Sequence, residues 1–187
     1  AKIMNKQVIY HIHETVVNPH ILNLFLRTVI KLTAQKVIFV SKFLKDVYRF
    51  NKKKQFVIYN AIETKVVELE RKDNKIFTVL MICSLKKYKG LYEFVTLAKL
   101  MNTIENLRFS LILNASEIEI NDFFKNIELP DCLNIYSRQK YVDSFIMDSH
   151  VMLNLSQPDE CIETFGLTIL EGMQYGLPII APPVGGP

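Results

Sequence analysis

The sequence predicts an α/β fold made of two parallel sheets, each covered by helices. Short β-branched and aromatic runs alternate with segments of helical periodicity along the chain, the pattern of strands joined by right-handed crossovers. Ile76–Cys83 reads as a continuous apolar strand, as expected where both faces of a parallel sheet are covered. Thr64–Lys75 is polar and charged, which reads as a linker. It divides the chain into residues 1–62 and 63–187.

In the first part, Gln7–His13 reads as a buried strand. His11 and His13 share one face, because strand side chains alternate. Glu14 follows at the carboxyl end, the edge where open α/β sheets take ligands. Asn18-Pro19 predicts a cap and first helical residue for a helix reaching about Ala34. Its Ile21, Leu22, Leu24, Phe25, Leu26, Val29, Ile30 and Leu32 leave only a narrow polar stripe of His20, Asn23, Arg27 and Lys31, so this helix is expected to be mostly buried. Lys36–Val40 is the next strand, and Ser41 caps a helix over about Lys42–Phe50. Lys52–Lys54 is a solvated loop, and Gln55–Tyr59 a strand ending in Asn60-Ala61-Ile62-Glu63.

In the second part, the strand at Ile76–Cys83 leads into the basic loop Lys86-Lys87-Tyr88-Lys89-Gly90. A helix over Leu91–Met101, a strand at Leu107–Leu113, a helix over Glu117–Asn126 and a strand at Leu133–Tyr136 follow. Ser137-Arg138-Gln139 comes next, then a short helix from about Val142 and a strand at Val151–Leu155.

The 187 residues are 49% hydrophobic and 22% charged, ordinary for a soluble globular protein. No apolar run reaches the roughly 18 residues of a membrane span, and no secretory leader is visible, so the expected location is cytoplasmic. Cys83, Cys132 and Cys161 show neither a disulfide framework nor metal-ligand spacing, and are expected as buried thiols. The net charge of +4 is uneven: residues 1–60 hold 11 Lys and Arg against only Glu14 and Asp46. A basic segment of this kind points to an anionic partner, and an anionic membrane surface on its inner face is the expectation taken here. No nucleic-acid recognition motif accompanies it. Both ends, Ala1 before a strand and Pro187 directly after Gly185-Gly186, are expected to be cuts.

The closing stretch carries the densest chemistry. Glu163 and Glu171 stand eight positions apart, with Phe165-Gly166 between them and Leu167, Ile169, Leu170 and Met173 at helical spacing. Gly176 and Pro178 are stop signals. The pattern predicts a loop opening into a helix of about three turns, with Thr164 as its cap and a short strand behind it. Free N–H groups at the helix start suit a phosphate. Glu171, about two turns in, could accept hydrogen bonds from a ribose diol.

This stretch resembles the signature of the retaining nucleotide-sugar glycosyltransferases of the GT-B type (glycosyl transferases group 1), a glutamate, seven residues and a second glutamate around F-G-L-x-x-L-E-x-M-x-x-G-x-P-V-I. Two further segments are similar to the family. Val40-Ser41-Lys42-Phe43 with Val57-Ile58-Tyr59-Asn60-Ala61-Ile62-Glu63 matches the close of its first domain, with Ala61 in place of the usual glycine. Cys83–Gly90 resembles its G-R-L-x-x-x-K-G loop, with Ser84 in place of the arginine.

The resemblance implies two Rossmann-like domains facing a cleft, both incomplete in this chain: the end of an acceptor-side domain in 1–62 and the front of a donor-binding domain in 63–187. It implies sugar transfer from a nucleotide-diphosphate sugar to a glycan or lipid-linked acceptor, with retention, without a metal and without a separate cofactor. Glu163 would meet the transferred sugar and His13 would face sugar and phosphate. Lys89 would hold the leaving diphosphate, with Lys86 or Ser84 standing in for the arginine. Backbone groups of Phe165, Gly166, Leu167 and Thr168 would hold phosphate or sugar. Glu171 would bind ribose, and Arg138 would lie where the base is received. An epimerase or phosphorylase on the same architecture would share the sheets, and a nucleotide- or anion-binding module would bind without turnover.

Overall fold

The computed structural model describes residues 6–15, 19–50, 54–63, 75–160 and 162–186. Asn18, Lys52, Lys53, the 64–74 part of the linker and Cys161 lie outside them. The chain forms two compact units. Unit 1 takes the described residues up to Ala61, together with Ile162–Gly166 and those from Val184. Unit 2 takes those from Ile62 to Glu160, together with Leu167–Pro183.

Unit 1 is a three-stranded parallel sheet of order β1-β2-β3, built from β1 (Ile9–Ile12), β2 (Lys36–Phe39) and β3 (Lys54–Val57). Its register runs from Ile9 opposite Lys36 to Ile12 opposite Phe39. Val37, Phe39, Val40, Leu44 and Phe50 are its most deeply buried apolar side chains. Two helices pack on the sheet, α1 (His20–Thr33) and α2 (Lys42–Tyr48). Ser41 caps α2, its hydroxyl accepting from the Leu44 N–H at 3.3 Å.

Three expectations for this unit fail. β1 is an edge strand with Ile9 and His11 exposed rather than a buried one, because among the described residues it pairs only with β2. Pro19, with extended backbone, precedes α1 rather than opening it. The helix is also turned opposite to the sequence reading. Asn23 and Ile30 are buried, while Ile21 is 82%, Leu24 63%, Phe25 61% and Leu32 65% exposed. Arg27 explains part of this. Its guanidinium lies 4.6 Å over the Tyr48 ring and donates to the Tyr48 carbonyl at 3.4 Å. Of the polar stripe, Arg27 docks on Tyr48 of α2 and Asn23 is buried, while His20 and Lys31 stay exposed beside the richer apolar face.

Unit 2 is a five-stranded parallel sheet: β4 (Phe77–Cys83), β5 (Leu107–Leu113), β6 (Leu133–Tyr136), β7 (Val151–Leu153) and β8 (Ile179–Ile180). Their order is β6-β5-β4-β7-β8. The chain builds outward from β4 to one side, then returns to add β7 on the other, so the strand order reverses between β4 and β7. One sheet face is packed by Leu91, Phe94, Val95 and Ala98 of α3 (Leu91–Leu100) and by Ile120 and Phe124 of α4 (Glu117–Phe124). The other is packed by Ile146 of α5 (Asp143–Met147) with Tyr175 and Leu177, just past α6 (Leu167–Gln174). Ser116 and Glu119 form a reciprocal capping box on α4. Among the described residues no helix is long and apolar enough to cross a membrane.

Candidate functional site

Ligands of open α/β sheets sit beyond the carboxyl ends of the strands where the order reverses, which in unit 2 is the β4/β7 junction. The chain leaves β4 through Ser84 and Leu85, makes one 3₁₀ turn over Lys87–Lys89, and enters α3 at Gly90. Gly90 has φ +80°, and a Cβ there would stand 2.3 Å from the Leu155 carbonyl oxygen. The loop after β7 also donates from the Gln157 N–H to the Tyr88 carbonyl at 2.8 Å. The two loops are thus zipped together at the reversal point, with half-buried Lys89 and Ser84 and exposed Lys86 on the first of them. The Cys83 thiol is pushed up to about 12 by burial, while the neighbouring Lys89 ammonium pulls it down. Ser156, in the second loop, is buried, and its hydroxyl has no hydrogen-bond partner among the described residues.

The closing stretch differs from its sequence reading in one respect that matters. α6 starts at Leu167, not after Thr164, and is eight residues long. Gly166, with φ +80°, makes the bend before it. Glu171 therefore lies four residues, about 6 Å at 1.5 Å per residue, from the start of the helix, a little over one turn. Leu167 and Thr168 occupy the first turn. Gly172 packs on Met152 and Ile179, where a Cβ would come within 3.0 Å of the Met152 sulfur. This holds α6 against β7 and β8 with Glu171 beside the contact.

Glu171 lines a groove of about 290 Å³ together with Glu63, Lys140, Tyr141, Val142 and Gln174, close to the small end of ligand pockets. Gln174 Nε2 donates to the Glu63 carbonyl at 3.1 Å. Tyr175, on the groove wall, is hydrogen-bonded to Asp143. Arg138, singled out from sequence, is not among the groove's lining residues. Its Nε donates to Asn114 Oδ1 at 2.7 Å and its N–H to the Ala115 carbonyl at 2.9 Å. Lys140 and Tyr141, between the end of β6 and the start of α5, line the groove and were not singled out from sequence.

The remaining candidates belong to unit 1. His13 follows β1, exposed, its Nε2 3.3 Å from His11 Nδ1 and the two rings 4.2 Å apart. The Tyr48 hydroxyl donates to the Glu14 carbonyl at 2.9 Å, which pins the backbone directly after His13. Burial raises the Tyr48 phenol above its usual range, Arg27 opposes the rise, and Glu14 adds to it. Glu163 and Phe165 also lie in this unit. The Phe165 side chain packs on the core that contains Phe39 and Leu44, with its ring 6.2 Å from that of Tyr59. Gly186 donates its N–H to the Glu163 carbonyl at 2.9 Å. Ala61 needs no special backbone: among the described residues other than glycine, only Arg49 and Asn106 have positive φ.

A family model described as "Glycosyl transferases group 1" matches residues 62–187. The chain belongs to that family. Three solved structures show what this group 1 glycosyltransferase chain is similar to. HepE of Anabaena, in complex with UDP and glucose, aligns with a TM-score of 0.76 at 18% identity, over 99% of this chain and 55% of that one. A glycosyltransferase from Rickettsia africae aligns at 0.73 and 20% identity, over 100% and 54%. Sucrose-phosphate synthase from Thermosynechococcus elongatus aligns at 0.71 and 18% identity, over 98% and 53%. The likeness shows the expected fold class, α/β with Rossmann-like parallel sheets of the GT-B type. This chain spans about half the length of these structures. A search of curated proteins by sequence returns no match.

Proposed function

We propose that the protein carrying this chain transfers a sugar from a nucleotide-diphosphate sugar to a glycan or lipid-linked acceptor. Transfer proceeds with retention of the anomeric configuration and without a metal. Unit 2 is the donor-binding part of this reading and unit 1 the acceptor-side part. The observation that carries it is the pairing, within unit 2, of a basic loop at the strand-order reversal with a groove that holds Glu171. Lys89, helped by Lys86 and Ser84, meets the diphosphate as a point charge, stabilising the leaving group as it departs. Backbone N–H groups at the start of α6, at Leu167 and Thr168, add the anion preference of a helix N-terminus. Glu171 accepts hydrogen bonds from the ribose diol, and the base rests by Lys140, Tyr141 and Val142. Tyr141, 68% exposed, offers an open ring face for stacking. Glu163 and His13 serve the transferred sugar.

The test is a melting-temperature panel of UDP, GDP, ADP and their sugars. A ligand that binds only the folded state raises its stability, and the UDP bound by HepE makes UDP-sugars the first to try. Turnover followed by NMR of the product's anomeric proton then reads retention directly. Free modified sugar released without any acceptor would replace this reading with the epimerase one.

A membrane-proximal acceptor has support of its own. The excess of lysine and arginine in residues 1–60 coincides with a helix, α1, that exposes Ile21, Leu24, Phe25 and Leu32 beside exposed His20 and Lys31. Apolar and basic groups together suit peripheral attachment to anionic lipid.

A further inference from the structure

We propose that Gly185 and Gly186 are positioning residues that set the backbone carrying Glu163. The inference rests on the reading of Glu163 given above. Three contacts within unit 1 support it. Gly186 donates its N–H to the Glu163 carbonyl at 2.9 Å. A Cβ at Gly186 would stand 1.9 Å from the Thr164 carbonyl oxygen and 2.5 Å from its carbon. A Cβ at Gly185 would stand 2.3 Å from the Glu163 carbonyl oxygen, and Gly185 has φ +111°.

The short distances are to backbone atoms, so no side chain can rotate out of the way. Any larger residue must push the 163–164 backbone aside by roughly 1 Å or more to restore ordinary contact distances of about 3.5 Å. On its other side this segment is tied down by Phe165, packed on the core of the unit and against Tyr59. Glu163 therefore rides on three residues clamped between a glycine pair and an aromatic anchor. A misplacement near 1 Å costs about a hundredfold in rate when the displaced group acts on the reacting substrate.

The experiment is a double-mutant cycle in the full-length protein, with Gly186→Ala, Glu163→Gln and the double variant. It reads kcat with sugar donor and acceptor, and Kd for the free nucleotide diphosphate. We expect Gly186→Ala to lower kcat about a hundredfold while the nucleotide Kd moves less than about threefold. The double variant should fall little below Glu163→Gln alone, because residues acting through one group are not additive. A merely structural role would lower both readouts, or would multiply with Glu163→Gln, and either result overturns the proposal. A folded Gly186→Ala with unchanged kcat also overturns it, and leaves the reading of Glu163 standing if Glu163→Gln is impaired. An unimpaired Glu163→Gln instead removes that reading and the proposal with it. If Gly186→Ala does not fold, Phe165→Leu loosens the same segment from its other side and is put through the same cycle, with the same criteria.

Discussion

Gly90 and Leu155 touch backbone to backbone at the point where the strand order of unit 2 reverses. A Cβ at Gly90 would lie 2.3 Å from the Leu155 oxygen and 2.4 Å from its Cβ. Gly90→Ala adds a clash, worth about 1–3 kcal/mol, to a positive φ that costs an L-residue about 1–2 kcal/mol. The expected loss is roughly 2–5 kcal/mol in urea unfolding. A variant within 0.5 kcal/mol of the parent, with ~0.5 the usual scatter of surface substitutions, would mean that the loops separate easily.

Glu171→Ala is expected to weaken nucleotide binding about ten- to a hundredfold, since a charged acceptor contributes roughly 1.5–3 kcal/mol. Calorimetry with the nucleotide that raises the melting temperature is the check. Unchanged affinity would remove Glu171 from the ribose.

Glu163→Gln should lower turnover by a larger factor than it lowers nucleotide affinity. An interaction made mainly in the transition state appears in rate rather than in binding. Equal losses in kcat and in affinity would contradict the assignment.

Co-sedimentation with vesicles should show the protein binding anionic lipid more than neutral lipid, with the difference fading near 1 M salt, where the Debye length is about 3 Å. Phe25→Ser, at the centre of the exposed face of α1, should weaken the anionic binding further. Equal, weak binding to both vesicle types would favour a soluble acceptor.

Cys83 should resist alkylation. A thiol held at about 12 rather than at 9.0 exposes about a thousandfold less thiolate at pH 8, and the thiolate is the nucleophile. Because the folded value is the higher one, the associated stability is fully present below about pH 9 and is lost as pH rises toward 12. Rapid modification by iodoacetamide in the native protein would show that the thiol is accessible and unshifted.

What could be read in advance was whatever depends on local pattern. β5 and β6 span the residues their apolar runs predict, and Ser41 caps α2 as expected. The Ser116–Glu119 capping box was present in the spacing S-x-x-E and could have been read as such. The failures have tertiary causes. The orientation of α1 follows from Arg27 docking on Tyr48, a contact between residues far apart in sequence. The late start of α6 goes with the bend at Gly166, directly after Phe165, which packs in the core of unit 1. The groove beside Glu171 is lined by residues from four separate stretches, Ile62–Glu63, Lys140–Asp143, Ile146 and Glu171–Tyr175, and no local pattern announces such a convergence.

The chain leaves unit 1 after Ala61, returns for Ile162–Gly166, leaves again, and comes back at Val184. The segment that a sequence comparison recognises as one block therefore contains pieces of both units. An exchange between relatives at a single junction after Ala61 would import Phe165, Gly185 and Gly186 from the incoming parent. These would be set against a core and a Tyr59 that had diverged with the other. What recombination can move in one cut is not what folds as one body. Hybrids of this family member should work best when Tyr59 and its core neighbours travel with Phe165.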